Sequence, residues 1–488
     1  MSTSSSTTPI ERAPCKVYGE RWIHLAAVCL LTLSNATQWL TYASLSRCTA
    51  VFYCNSSDGL RGDECPVAVL TSQIFQVMGF VLGLLGMYAT DQWGIRASTR
   101  IASMCNFVGS AVRLTSSLPD LPLPYRTSVL NLGTVFSASA SPFFLGLGPS
   151  VARSWFREKD RVPIRLLGYA ANPLGIAIGT IVSDLTVNED AVTPASFDLF
   201  QLNSWLVFIS GLVLFLSFLP RHSLPPTPPS PSPPTTLTPP SFWSGLSECF
   251  RHKQLFLLSI PFGVAFALQW SLFLFLDEME LRYSESLTAF AMGCSAVVGA
   301  AAAIAVGTVV DRTKRFVETL RLCMVGCALT AIVVCWLLTR RVPPGSEDSY
   351  RLACIALFSL MGAFSLPVYP ISMELSIEET FPVTETTSRG LVAMMGHAMM
   401  FVVVCLLSTT RHPSLSLAFS IELPPLPSSY QLLVSVWMPL SIIGAIFSFA
   451  VNPKYRRLEF EQSVLLQYQL EKACRSIPRI TVTQRDIV

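Results

Sequence analysis

Gly86-Met-Tyr-Ala-Thr-Asp91-Gln-Trp-Gly94-Ile-Arg96 follows the second long apolar run of the chain, and Gly307-Thr-Val-Val-Asp311-Arg312-Thr-Lys314-Arg315 follows the eighth. Each stretch places a glycine, then an acid, then basic residues where a greasy segment ends. The design recurs after six runs. Between the two copies lies Leu224-Pro-Pro-Thr-Pro-Pro-Ser-Pro-Ser-Pro-Pro234, which proline bars from forming a spanning helix and which reads as an extended or disordered cytoplasmic linker. The chain therefore divides into a tail (1–21), a first half (22–220), a Pro-rich linker (221–253), a second half (254–451) and a second tail (452–488).

Of 488 residues, 51% are hydrophobic and only 13% charged, and the mean hydropathy is +0.50. That balance excludes an ordinary soluble protein and predicts an all-α polytopic membrane protein. At about 20 apolar residues per crossing, twelve transmembrane helices are expected. They fall near 22–44, 67–89, 98–117, 128–151, 164–185, 203–220, 254–277, 287–310, 317–339, 352–373, 388–408 and 431–451. The first twenty residues are polar, so the first run reads as a spanning signal anchor rather than a cleaved leader. Basic residues before span 1 and after spans 2, 4, 8 and 12 all fall on one side, which makes both termini cytoplasmic. A net charge of +3 spread over short clusters points to no nucleic-acid partner. The loop between spans 1 and 2 is then external. It holds Cys48, Cys54 and Cys65, of which two are expected to pair, and the sequon Asn55-Ser56-Ser57, a glycosylation acceptor that would make the chain a glycoprotein.

Polar and aromatic residues inside the spans are the candidate binding groups. In Leu33–Tyr42 the positions Asn35, Gln38, Trp39 and Tyr42 follow i, i+3, i+4, i+7, which on a helix is one stripe. Such a stripe either lines a solute path or glues one helix to another. His397 titrates near neutral pH if ordinary and would couple a solute to protons, or merely bond across helices. Asp277 and Glu278 end span 7 at its external mouth, and Glu374 and Glu385 flank span 10 with loop arginines to pair with. Few buried charges favour a facilitator over an ion-driven pump. No phosphate loop, metal-ligand spacing or nucleophile elbow is present, so no enzyme activity, cofactor or metal is expected. Glu461, Leu465 and Leu466 form an acidic dileucine pattern, read either as a sorting signal for an adaptor or as one face of a tail helix. Plasma membrane and endolysosomal membrane both stay open.

The paired loop stretches resemble the signature of the major facilitator superfamily. That resemblance implies two six-helix halves, a site between them and rocking alternating access, with Asp91, Arg96, Asp311 and Arg312 as a conformational latch. Further stretches resemble solute carrier family 49, the feline leukaemia virus subgroup C receptor-related transporters. They are Ser34-Asn35-Ala36-Thr37-Gln38-Trp39, Asn106-Phe-Val-Gly109-Ser-Ala-Val-Arg113, Ser141-Pro142-Phe143, Gly148-Pro149, Trp155-Phe156, Asn172-Pro173-Leu174-Gly175, Glu374-Leu-Ser, Phe381-Pro382-Val383-Thr-Glu385 and Gly390. The Asn-Ala-Thr and Asn-Pro-Leu-Gly forms are most similar to the third branch of that family. Its better-known members are described as choline and ethanolamine carriers, and earlier as haem carriers.

The resemblance implies that Trp39 and Trp270 cage a quaternary ammonium, with Gln38, Asn35, Asn172 and His397 around it. Trp39 lies 17 positions after Trp22, and Trp270 lies 17 positions after Lys253, which supports equal depth. Two departures stand out: Pro173 and His397 occupy positions where the choline carriers have glutamines. Three functions follow as expectations. The first is a monomeric facilitative carrier of a choline- or ethanolamine-like amine, whose partners are its small-molecule substrate and the lipid bilayer. The second is a carrier of haem or another amphipathic anion, in which Arg113 would matter most. The third is a non-transporting receptor or scaffold built on the external loop and linker.

Overall fold

The computed structural model describes residues 16–55, 65–186, 195–227, 229, 240–275, 285–338, 345–408, 429–464 and 466. The described chain is helical. Its first part runs through α1 (Glu20–Leu40), α2 (Ser46–Cys54), α3 (Val67–Val81), α4 (Gly83–Ser116), α5 (Leu123–Ser139), α6 (Ser141–Phe144), α7 (Leu147–Trp155), α8 (Arg161–Thr186) and α9 (Ala195–Phe218). The second comprises α10 (Phe242–Arg251), α11 (Lys253–Phe275), α12 (Glu285–Thr313), α13 (Phe316–Leu338), α14 (Glu347–Ser365), α15 (Val368–Thr380), α16 (Glu385–Ser408) and α17 (Ser429–Ala450). Exposed rings such as Phe208, Phe215, Trp336 and Phe449 clothe the outside, a surface that only lipid satisfies.

The expected twelve spans are not counted one for one. Among the described residues nine segments are long and apolar enough to cross a bilayer, or ten if one bent pair counts as a span. The bent pair is α3 and α4, which meet at 53°. It carries both the second and third expected spans, because α4 passes through the short loop between them. Gly94 makes that passage with φ +76°, a left-handed conformation that favours a residue without Cβ. The fourth and tenth expected spans are each one crossing broken into pieces, α5–α7 and α14–α15, the second break lying at Pro367. The twelfth expected span coincides with α17, Ser429–Ala450, a helix of 22 residues whose segment Val436–Ala450 is apolar.

Two segments outside the expected spans are held by contacts of their own. In the loop between the first two expected spans, α2 docks Phe52 and Tyr53 into a buried cluster with Tyr42, Leu130 and Leu202. Arg126 donates to the Phe52 carbonyl and lies 4.3 Å over its ring. The linker does not begin as free chain. Glu20 accepts from the backbone N–H groups of Arg221 (2.5 Å) and His222 (2.8 Å), and the Trp155 indole donates to the Ser223 carbonyl at 3.3 Å. Its far end, α10, is helical. Residues 230–239 lie outside the described residues.

The two parts repeat one another in atomic detail. Arg100 on α4 donates from Nε to the Ser217 carbonyl (3.3 Å) and from Nη2 to those of Phe218 (3.3 Å) and Pro220 (3.2 Å), at the C-terminus of α9. Arg321 on α13 does the same to Ser448 (3.5 Å), Phe449 (3.4 Å) and Val451 (3.1 Å), at the C-terminus of α17. Each guanidinium also faces a ring, Phe218 at 5.0 Å and Phe449 at 5.6 Å. A helix leaves its last carbonyls without partners and carries partial negative charge there, so a cation with several donors is the natural cap. Across the central interface α8 packs on α12, and α16 packs on α3 and α4. The largest buried cluster runs through that interface, joining Trp39, Phe75 and Ile176 to Leu258, Trp270 and Trp437.

Arg100→Ala and Arg321→Ala are each expected to lower stability by about 1–3 kcal/mol, with lysine restoring only part because it lacks the planar fork. Thermal unfolding of the purified chain checks this, and a loss at one position alone would deny their equivalence.

Candidate functional site

On α11, Phe262, Phe266 and Trp270 recur every four residues and make one aromatic stripe. Opposite stand Trp39 of α1 and Phe75 of α3. Together with Tyr169 and Asn172 of α8, Tyr369 of α15 and His397 of α16 they enclose a cavity of ≈ 90 Å³ between the two parts. The helices come this close because α8 lies on α1 through glycine: a Cβ on Gly175 would stand 2.4 Å from the Leu33 carbonyl oxygen, and one on Gly179 2.8 Å from the Thr37 backbone. Pro173 lies inside α8 on the cavity wall.

Trp39 and Trp270 meet with ring centroids 5.7 Å apart at 65°, adjoining walls rather than opposed plates. Phe266 extends the wall, stacked on Trp39 at 5.8 Å and 7°. The Trp39 indole N–H points to the Ser72 carbonyl at 3.4 Å. His397 is bonded through Nδ1 to Gln76 Oε1 of α3 at 2.8 Å and touches the Phe266 ring edge-on at 5.8 Å. No Asp, Glu, Lys or Arg is among the described residues of this wall. Asn35, Trp39, Asn172, Trp270 and His397 from the sequence reading all line it. Gln38 does not.

Gln38 turns the other way. Its Oε1 accepts from Ser137 Oγ (2.7 Å) and Arg113 Nη1 (3.4 Å), and its Nε2 donates to Asn106 Oδ1 at 3.1 Å. Asn35 joins the same net, donating to Asn106 Oδ1 (2.9 Å) and the Ser137 carbonyl (2.8 Å). Tyr42 lies under Arg113, 4.7 Å from its guanidinium, and bonds Asn203. The stripe is thus split: Trp39 faces the cavity, Asn35 touches both sides, and Gln38 and Tyr42 tie α1 to α4, α5 and α9. The second part repeats the arrangement. Gln269 Oε1 accepts from Ser365 Oγ (2.7 Å) and its Nε2 donates to Ser295 Oγ (2.9 Å), while the adjoining Trp270 faces the cavity.

The sequence profile of the Major Facilitator Superfamily matches residues 67–404. The chain belongs to the major facilitator superfamily. It is 28% identical over 454 residues to solute carrier family 49 member A3 of Danio rerio, covering 91% of this chain and 90% of that one. It is 25% identical over 438 residues to choline/ethanolamine transporter FLVCR1 of Felis catus, covering 87% and 71%. Among solved structures, a D-xylose-proton symporter superposes with a TM-score of 0.60 at 13% identity, covering 89% of this chain and 98% of that one. Members of this superfamily are membrane transporters, not enzymes.

In a major facilitator the remaining residues take a definite place. Asp91 Oδ2 accepts from Thr384 Oγ1 (2.6 Å) and Thr387 Oγ1 (2.9 Å) of the second half. Asp311 pairs with Arg165 of the first half at 3.3 Å, and Arg165 also holds Glu374 at 2.9 Å. Glu385 pairs with Arg153, with Arg389 at 2.9 Å and with Arg457 at 3.3 Å. The basic partners foreseen beside the acids are placed elsewhere: Arg96 donates to the Arg221 carbonyl of the linker, and Arg312 is exposed. That Glu374 and Glu385 pair with loop arginines was legible in the sequence; that these are Arg153, Arg165 and Arg457 was missed, because they lie far along the chain. Phe262, Phe266 and Gln76 were missed too, though the four-residue aromatic spacing on α11 was there to find.

At the other end of the bundle the disulfide joins Cys54 to Cys65 and leaves out Cys48. Asn55 caps α2 in the left-handed region, φ 55°, while Ser56 and Ser57 of its sequon lie outside the described residues, as do Asp277 and Glu278. Glu461 pairs with Arg457 at 2.9 Å, Leu466 is exposed, and Leu465 lies outside the described residues. Arg113, which an anionic cargo would need on the wall, is buried against Gln38 instead.

Gln38→Ala and Gln269→Ala are each expected to lower stability by about 1–3 kcal/mol, since both leave buried donors unmatched. The loss should be larger at Gln38, where a charged donor is involved; equal melting temperatures for the two variants would contradict this.

Proposed function

We propose that this chain is a facilitative, alternating-access carrier of a small organic amine of the choline or ethanolamine type. The observation that carries the reading is the cavity wall itself: at least five aromatic rings from both halves, and no Asp, Glu, Lys or Arg among its described residues. An aromatic face attracts a cation through its quadrupole, most strongly where water is excluded. A wall without acids suits a methylated ammonium, which offers no N–H to be satisfied. Trp39 and Trp270 form the corner into which the cation settles, with Phe266 beside them; Asn35, Asn172 and His397 serve the solute's polar end. Gln38 is a positioning residue that holds Trp39 through the backbone of α1. The names of the family 49 relatives support the same substrate class.

With both termini in the cytoplasm, the contacts of Asp91, Arg153 and Arg165 with the second half close the cytoplasmic side. Transport then requires these pairs to part as the halves rock about the cavity, so that the solute meets one side at a time. Among the described residues no ion pair lines the aromatic cavity, in keeping with movement down a gradient. Plasma membrane and endolysosomal membrane remain the two candidate locations, the second through an adaptor reading Glu461, Leu465 and Leu466.

The test is uptake of labelled choline by cells expressing the chain or its Trp39→Ala, Trp270→Ala and double variants at matched membrane amounts. Each ring should contribute about 0.5–2 kcal/mol, so each single variant should raise the half-saturating concentration roughly 2- to 30-fold, and the double variant further. Saturable uptake that both variants leave intact would refute the corner as the binding site.

A further inference from the structure

Next to the aromatic chamber lies a second cavity of ≈ 40 Å³. The two share Leu145, Tyr169, Tyr369, Ala393 and His397, so they are contiguous. Tyr169 and Tyr369 meet edge to face at their junction, 5.1 Å apart at 85°. The second wall differs from the first in one respect: it contains a charge, Arg389, only 4% exposed.

Arg389 is incompletely satisfied. Nη2 donates to Glu385 at 2.9 Å and lies 3.6 Å from Glu374, but Nε and Nη1 have no hydrogen-bond partner. The buried hydroxyl of Tyr169 has none either. The neighbouring carboxylates are already shared. Glu385 serves Arg153 and Arg457 as well, and Glu374 serves Arg165, so four guanidinium groups surround two carboxylates. Asp311 adds a third acid, on Arg165, where Lys314 matches it, and Glu461 a fourth, on Arg457, so four guanidinium groups meet three carboxylates not otherwise matched. Open donors on a buried cation are costly to leave unpaired, and a planar guanidinium matches a carboxylate or phosphate. Two N–H donors and a phenol are thus left without partners on residues that line a cavity opening onto the aromatic chamber.

We propose that this second cavity is an anion subsite, so that the solute is a zwitterion whose methylated ammonium lies against Trp39 and Trp270. Its carboxylate or phosphate lies on Arg389, Tyr169 and Thr386. This rests on the amine reading above and narrows it.

Competition with labelled choline for the purified full-length chain tests it, using carnitine as the carboxylate probe and phosphocholine as the phosphate probe. One of them should bind at least about tenfold tighter than choline, and which one identifies the anion. Arg389→Gln should bring the ratio of that affinity to choline's close to one. Tyr169→Phe, which removes only the hydroxyl and guards against misfolding of the arginine variant, should reduce the same ratio. Choline binding with no advantage for either zwitterion overturns the subsite and leaves the amine carrier standing. An advantage that survives in both variants also overturns it. Failure of all three probes to bind overturns the amine reading and the subsite with it.

Discussion

A polar side chain inside a bilayer must find its partners within the protein, and this constraint organises the centre of the molecule. Gln38 and Gln269 meet it in the same way. Each gives its carbonyl oxygen to a serine, Ser137 or Ser365, and its amide N–H to a residue of another helix. With the glutamine turned into its own half, the next residue on the helix is forced round toward the other half. That residue is tryptophan in both cases. The aromatic corner is therefore a by-product of hydrogen-bond satisfaction on either side of it.

The two halves are not copies in charge. The first contains Arg113, buried 13 residues beyond Arg100, while 13 residues beyond Arg321 the second has Val334. Arg113 finds the Gln38 carbonyl, the Gln38 side chain and the face of Tyr42, which holds α1 more firmly to its neighbours than α11 is held. The second half instead keeps its buried charge at the basic end, in Arg389 and the carboxylates it meets. There the halves are tied by ion pairs and hydroxyl contacts, whereas around the aromatic chamber the described residues meet through rings and the bond of His397 to Gln76. An interface built from discrete polar pairs at one end and apolar contact at the centre is able to part at that end without exposing an unpaired charge in the middle.

The linker belongs to this picture. Its opening residues Arg221, His222 and Ser223 are clasped by Glu20, His24, Arg96 and Trp155, so the first half carries its own strap. Arg96 is used for this and not for pairing with Asp91. A signature that looks like one unit in sequence is thus divided between two jobs, the acid reaching across to Thr384 and Thr387 and the base reaching back to the linker.

The sequence by itself determined the all-helical membrane class and the family. These depend on the length and spacing of apolar runs, and on motifs that recur whatever the side chains touch. It also placed Trp39 and Trp270 at matching depth, since depth along a helix is a count of residues. Direction round the helix was another matter. The stripe Asn35, Gln38, Trp39 and Tyr42 spans enough of the helix surface for its members to face two different neighbours. Only packing decided that Trp39 looks into the cavity and Gln38 away from it. Likewise only tertiary structure brought Arg153, Arg165 and Arg457 to two carboxylates, because these pairs form between residues far apart in the chain that no local spacing connects, whereas Arg389 meets Glu385 one helical turn away. The chain chose the groups; the close approach of α8 to α1 and of α16 to α3 chose which of them meet.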